Sequence, residues 1–452
     1  MITELSLKNF KSWRHTGKMR MAPITGLFGA NSSGKTSILQ LLLMLKQTVD
    51  SSDRSQVLNF GDERTPVSLG TFRDIVFRHE KPGRLTWSLR WMTSRPYVIV
   101  VVRCPPTLSF DSMSLGAEIS ENGSGRPILS AFEYGVQDTG IRCQRKGGSE
   151  WEYEFKITGN GLPFETAPDY PMPLTAPTKC YGFPEQVRLA FKNAEFFSNL
   201  ELEFEKLMGR IYYLGPLRDN PKPEYLWAGA SPSDMGRRGE KVIESLLALR
   251  ERGETIVVGK GQQKPQQVEV YIASWLKKIG LIHAFTVKPL VRGGNLYRVR
   301  VRATKDSPEV RITDVGFGVS QVLPVIVMCF YVPEGSTVIL EQPEIHLHPS
   351  VQEKLADIFI DAVKKRGIQL IIESHSEHLL RRLQRRIAEE ELKQEEVALY
   401  FTSMEGGESK LTPLDVDEYG NIRNWPKDFF GDDFGEIAET EKARLRRQIG
   451  KK

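Results

Sequence analysis

The octet Gly29-Ala30-Asn31-Ser32-Ser33-Gly34-Lys35-Thr36 constrains this chain more than any other stretch. It follows a short apolar run, Ile24 to Phe28, and precedes Ser37 to Val49, which is rich in Leu and free of Gly and Pro. Strand, glycine loop and helix in that order form a phosphate cradle. The glycines let backbone N–H groups curl round phosphate oxygens, and the helix N-terminus adds partial positive charge. In such a loop Lys35 reaches the β- and γ-phosphates and the Thr36 hydroxyl ligates Mg2+. Gly29, Ala30, Asn31, Ser32, Ser33, Gly34, Lys35, Thr36 and Ser37 are therefore the candidate nucleotide-binding set. The helix is apolar nearly all round, which predicts burial. No Asn-Lys-x-Asp element for guanine accompanies the loop.

Three further elements follow far downstream, in a fixed order. From Thr313 runs "TDVGFGVSQVLPVIVMCFYV", a loop with Gly316 and Gly318 before an apolar helix. Ser320 is placed as its N-cap, with Pro324 in the first turn, where proline is tolerated. Next, Thr337 to Glu341 reads as a buried strand that breaks into Glu341-Gln342-Pro343-Glu344. Last, Gln369 to Ile372 is another apolar strand, followed by Ser374-His375-Ser376 and a basic helix. An apolar strand, a loop histidine and a helix make one more edge of a nucleotide pocket in an α/β sheet.

In this order the motifs resemble the ABC-type ATPases, and more closely their RecF/SMC-like branch of prokaryotic chromosome and anti-phage systems. "LSLKNFKSW", Leu5 to Trp13, is similar to that branch's opening strand and turn. "GFGVSQVLP", "EQPEIHLHP" and "ESHSEHLL" look like a subgroup of stand-alone bacterial ATPases that includes Septu-type anti-phage ATPases. The subgroup's C-terminal segment is classed as a domain of unknown function, and Val416 to Asp433 is similar to it. The resemblance implies an α/β P-loop NTPase of ABC type: a mixed sheet with helices, an antiparallel β lobe and an inserted α/β region. It implies that two protomers sandwich two ATP molecules, each on one Lys35 loop. Gly316, Gly318 and Ser320 of the other protomer would face the γ-phosphate, and His375 would contact it as a switch residue. Glu341 would take the place of the aspartate that holds Mg2+.

Gln342 stands where such ATPases carry the glutamate that activates water, and an amide cannot take that proton. Three readings stay open. Glu344, two residues on, is the base; or Gln342 orients water without a base, as a glutamine does in some GTPases; or hydrolysis is slow or absent. His346 and His348 suggest a metal pair only weakly, because no further ligands cluster with them. A structural or dimer-facing role suits them and His378 better.

The remaining chain divides by pattern. Residues 1–160 hold the first half of the ATPase domain, with strand-like alternation from Arg84 to about Phe155. Residues 161–300 are an inserted, largely helical region, including the Pro-rich Gly161 to Lys179 and the helical stretch from Pro184 to Gly209. Residues 301–415 are the second half of the ATPase domain, and 416–452 a C-terminal segment with a basic tail. Arg218, in "YYLGPLRDN", either contacts phosphate or pairs with an acid. Arg381, Arg382, Arg385 and Arg386 either track a nucleic-acid backbone or form a solvated helix face.

Composition narrows the function. The net charge of +5 on 452 residues is too mild to demand nucleic acid. Cys104, Cys143, Cys180 and Cys329 show no CxxC spacing, which argues against a disulfide framework or zinc site and suits a reducing cytoplasm. The N-terminus has no apolar run of signal-peptide type, and the stretch from Val322 is too short to span a bilayer. The expectation is a cytoplasmic, Mg2+- and ATP-dependent ATPase, at least a dimer, with no membrane partner. It would regulate or drive a DNA-linked defence or repair complex. No nuclease constellation is legible, so cutting would fall to a partner effector. The alternative is a non-catalytic, ATP-dependent scaffold or clamp on an effector; a transport subunit suits the long insertion poorly.

Overall fold

The computed structural model describes residues 1–99, 108–147, 152–159, 174–191, 195–258, 264–426 and 442–444. Cys104, most of the Pro-rich stretch and most of the basic tail lie outside them. Among the described residues a six-stranded sheet forms the centre. Its order is Glu408–Pro413, Val397–Glu405, Ile24–Gly29, Gln369–Glu373, Thr337–Glu341, Ile211–Leu214. All pairings are parallel except the outermost, between Val397–Glu405 and Glu408–Pro413.

Parallel strands need cover on both faces, so they read as unbroken apolar runs. Side chains alternate between faces. Val338, Leu340, Leu370 and Ile372 enter one hydrophobic cluster, while Ile339 and Ile371 enter another. The first cluster is built with the helices Val242–Glu251, Val268–Lys278, Phe317–Tyr331 and Pro349–Arg366. The second holds the helix Lys35–Asp50, the helix Glu195–Gly209 and the inner face of a seven-stranded antiparallel sheet. That sheet joins the hairpin Ile2–Phe10 and Trp13–Arg20 to the alternating strands from Arg84–Ile99 through Tyr153–Thr158. Trp87 and Trp91 bracket Phe204 at ring-centroid distances of 6.1 and 6.0 Å, which fixes the lobe on the second core.

The sequence reading differs from the structure in two places here. Ser320 does not cap its helix: Gly316 does, and the helix runs Phe317–Tyr331. Pro324 therefore sits inside the helix and cannot donate to the Ser320 carbonyl. Its ring has room because position 239 is glycine, where a Cβ would stand 2.7 Å from the Pro324 Cβ. The second difference concerns the 161–300 segment. Ile211–Leu214 within it pairs in parallel with Thr337–Glu341 and is an edge strand of the central sheet. Among the described residues no helix is long and apolar enough to cross a membrane. Cys143, Cys180 and Cys329 are buried free thiols.

The basic helix Glu377–Ala388 keeps its arginines occupied. Arg386 Nε donates to Asp357 Oδ1 at 2.6 Å and Arg382 Nη2 to Asp357 Oδ2 at 2.8 Å. Arg381 pairs with Glu377, and Arg385 with Glu389 at 2.7 Å. Arg382 and Arg386 are thus committed to one mostly buried acid, whereas Arg381 and Arg385 pair on the exposed side of the helix. Burial pushes the Asp357 carboxyl up, but hydrogen bonds from Arg386 and Arg382 outweigh it and hold the group below its usual range. Stability from such a depressed carboxyl is complete above the unfolded value, near pH 4, and fades as pH falls through the folded one. Asp357→Asn is expected to cost about 2–3 kcal/mol at neutral pH, discounted from a fully buried pair for the partly exposed Arg386. Urea unfolding checks this, and the gap to wild type should shrink below about pH 4.

Candidate functional site

The C-terminal ends of the parallel strands deliver the motif loops to one edge of the sheet, where α/β folds place ligands. A cleft of about 390 Å³ opens there, lined by Ser12, the loop from Asn31 to Ser37, Gln342, Glu373 and His375. A larger cavity of about 500 Å³ lies at the opposite strand ends, beside Thr337 and Gly367, and holds none of the motif residues.

The glycine loop is held from below and behind. Gly29 has φ +137°, and a Cβ there would stand 2.2 Å from the Thr402 carbonyl oxygen. Thr402 Oγ1 donates to the Phe28 carbonyl at 3.0 Å and shares a 2.6 Å bond with Ser33 Oγ. The Trp13 indole N–H donates to the Gly34 carbonyl at 2.9 Å, which ties the first hairpin to the loop. Lys35 Nζ donates to the Gly29 and Ala30 carbonyls at 2.9 and 2.7 Å. Burial pulls the Lys35 pKa down, against the charges of Glu373 and Glu344. Ala30, Asn31 and Ser32 are exposed at the mouth.

The acids are arranged in depth. Glu341 ends its strand opposite Glu373 in register. Its Oε1 accepts from the Tyr213 hydroxyl at 3.1 Å, and burial, then the Glu373 charge, push its pKa up to about 7. Gln342 takes φ +43°, and its N–H donates to the Glu373 carbonyl at 2.8 Å. Glu344 is buried: its Oε1 accepts from the His375 backbone N–H at 2.7 Å, and it does not line the cleft. Burial raises its pKa. Arg218 is 6% exposed and sits behind the acid strand, its Nη2 directed at the Glu341 carbonyl at 3.4 Å. Burial lowers its pKa to about 10, against the charges of Tyr213, Glu341 and Glu344. That position suits charge balance among acids more than contact with phosphate.

Two residues of the cleft, Ser12 and Glu373, lie outside the candidate set. Glu373 is 3% exposed, and the Thr36 hydroxyl donates to its Oε1 at 3.0 Å. Burial raises its pKa, opposed by the Thr36 bond and Lys35. The strand was read as ending at Ile372, so the acid passed as the start of a loop. The signal was a charged residue closing an otherwise apolar strand, as at Glu341.

His375 lines the cleft, its pKa lowered by burial and then by Lys35, which favours the neutral ring. His348 caps the helix Pro349–Arg366, accepting from the Ser350 N–H at 3.3 Å, and His378 is exposed. Among the described residues no three His, Cys, Asp or Glu side chains gather as a metal cluster. Gly316, Gly318 and Ser320 do not line the cleft of their own protomer.

Comparison with known proteins follows the same division. Residues 1–79 match the family model described as "AAA ATPase domain", and 215–381 match "AAA domain, putative AbiEii toxin, Type IV TA system". These two stretches carry the loop and its three companion motifs in order. Over them the chain is similar to AAA-type ATPase domains. Residues 392–439 match "Protein of unknown function (DUF3696)". No curated protein matches it in sequence. Among solved structures it is similar to an SMC head bound to the C-winged helix domain of ScpA. That likeness has 12% identity, covers 92% of this chain and 98% of that one, and scores 0.44 in TM. An SMC head domain from Thermotoga maritima shows 11% identity over 92% and 99% of the chains, at a TM-score of 0.40. One from Pyrococcus furiosus, with an extended coiled coil and bound to the C-terminal domain of ScpA, shows 10% over 91% and 96%, at 0.41. The family models and the order of the site elements support an ATPase domain; likenesses at these scores add no weight.

The loop geometry yields a paired expectation. Gly29→Ala places a methyl group into the Thr402 carbonyl at a strained φ, so it should lower both the melting temperature and ATP binding. Lys35→Ala should abolish ATP binding while the melting temperature stays close to wild type. Thermal shift and binding of a fluorescent ATP analogue read both effects.

Proposed function

We propose that this chain binds and hydrolyses ATP on the Lys35 loop and that two protomers close over two nucleotides. The observation that carries this reading is the division of the site. The cleft is lined by the phosphate loop from Asn31 to Ser37 and by His375, whereas Gly316, Gly318 and Ser320 lie outside it on the same protomer. Gly316 N-caps the helix Phe317–Tyr331, and a helix N-terminus with small residues suits a phosphate from a second copy. A closed dimer brings the two half-sites together and excludes bulk solvent, leaving room for the attacking water alone.

A divalent cation fits the corner beside Thr36. Its hydroxyl and the Glu341 carboxylate are hard oxygen donors, and Glu373 Oε2 is a buried acceptor without a hydrogen-bond partner. Mg2+ takes one or two carboxylates together with phosphate oxygens and water. Thr36 and Glu341 would hold it, and when bound it offsets phosphate charge. The chain's own groups do the rest. Lys35 turns from the loop carbonyls to the phosphates, His375 donates from its neutral ring to the γ-phosphate, and Gln342 orients the attacking water.

Glu344 has two readings, base or support for the His375 loop. Its bond to the His375 N–H favours support. Glu344→Gln keeps an acceptor oxygen, so turnover within about tenfold of wild type is expected. A loss of about 10²–10⁴ would restore the base role.

The biological reading is an ATP-gated dimer that regulates or drives a DNA-linked defence or repair complex, with a nuclease as the effector partner. The motif resemblance supports it, as does the toxin–antitoxin description of the 215–381 family. A second reading, a non-catalytic clamp that holds an effector, is favoured by Gln342 at the place of the water-activating acid. Gly316→Arg tests the dimer. A Cβ at Gly316 meets nothing within 4 Å, so the protomer should fold and bind ATP normally. ATP-dependent doubling of mass should be lost, and turnover with it. Doubling that persists in the variant removes the sandwich reading. Doubling in wild type without phosphate release selects the clamp.

A further inference from the structure

We propose that Glu373 is a second carboxylate of the cation site, acting with Glu341 across the pair of adjacent strand ends. The inference rests on the ATP-binding reading above and names a residue that the motif order does not. In a phosphate loop the Thr36 hydroxyl is the group that meets the cation. In this structure that hydroxyl is held by Glu373, at 3.0 Å, and not by Glu341, whose Oε1 is engaged by Tyr213.

Three observations point the same way. Glu373 lines the cleft, and Glu341 and Glu344 do not. Glu373 is 3% exposed, yet its Oε2 has no hydrogen-bond partner. A buried carboxylate oxygen with nothing to accept from is costly unless a positive charge joins it. Lys35 is close enough for its charge to be felt but makes no hydrogen bond to Glu373, because its Nζ is turned to the Gly29 and Ala30 carbonyls. Finally, Glu341 and Glu373 are Cα partners in a parallel pair, so their side chains leave neighbouring strands at the same level. Strands lie about 4.8 Å apart, a spacing over which two carboxylates can share one small cation.

The arrangement redistributes the acids of the site. Position 342 carries an amide, and the charge missing there is supplied one strand nearer the phosphate loop. Glu373 thus adds a negative group on the cation side of the phosphates rather than on the water side.

The experiment measures binding of a fluorescent ATP analogue by the full chain, with Mg2+ titrated and with EDTA as the cation-free arm. Glu373→Gln removes a negative charge beside the phosphates, so it should bind the analogue in EDTA at least as tightly as wild type, and should need at least tenfold more Mg2+ for half of the Mg2+-dependent change. Glu373→Asp, which keeps the charge one methylene short, should shift less. Mn2+ titrated in the presence of ATP and followed by electron paramagnetic resonance should show the same order of affinities. An unchanged Mg2+ requirement in folded Glu373→Gln overturns the proposal. So does loss of binding in EDTA at an unchanged melting temperature, because Glu373 would then shape the loop through Thr36. A wild-type chain that binds no ATP analogue in either arm overturns the nucleotide reading and this one together. Normal binding in EDTA with an unshifted Mg2+ requirement removes this one alone.

Discussion

The parallel pairing of Gln369–Glu373 between the phosphate-loop strand and the Glu341 strand is the constraint on which the site depends. Its hydrogen bonds set Glu341 and Glu373 face to face, with Leu27 opposite Glu373 on the third strand. Gly29 starts the glycine loop two residues beyond that level, and His375 leaves two residues after Glu373. A slip of one residue would turn every side chain of the strand to the other face. Ile371 would leave one hydrophobic core and Ile372 the other, so packing on both sides enforces the register. The chemistry is therefore positioned by apolar burial far more than by any polar contact within the cleft.

Around this frame the polar groups divide the work. Thr402 and Trp13 shape the glycine loop from outside it, and Glu344 holds the loop of His375. Arg218 puts a buried positive charge behind Glu341 and Glu344, which limits the repulsion of crowding three acids near Thr36. Gln342 is held at positive φ by its bond to the Glu373 carbonyl. Strain of this kind persists only where the surroundings over-determine it, and here two adjacent strands do so.

Most of this architecture was legible because it is written in local patterns. The glycine loop with its strand and helix, the alternating lobe and the apolar strands each carry their signal within a few residues. What escaped depends on residues far apart in the chain. Ser320 reads as a cap because proline belongs in the first turn of a helix, and only Gly239, folded against the Pro324 ring, shows otherwise. Glu373 reads as a loop residue until Thr36 is brought beside it across 337 positions. Sequence spacing likewise does not reveal which way the loop bends after Pro343, and so hides the bond from the His375 N–H to Glu344.

The bond from Trp13 to Gly34 has a mechanical consequence. Trp13 begins the second strand of the hairpin that leads into the antiparallel lobe, and its indole ends on the loop beside Lys35. The tryptophan is wholly buried, so it transmits displacement like a rigid strut. Tension on the lobe is then felt at the phosphate loop, and a phosphate pulling on the loop is felt at the lobe. By thermodynamic reciprocity, anything that grips one end more tightly in one state changes the grip at the other by the same factor.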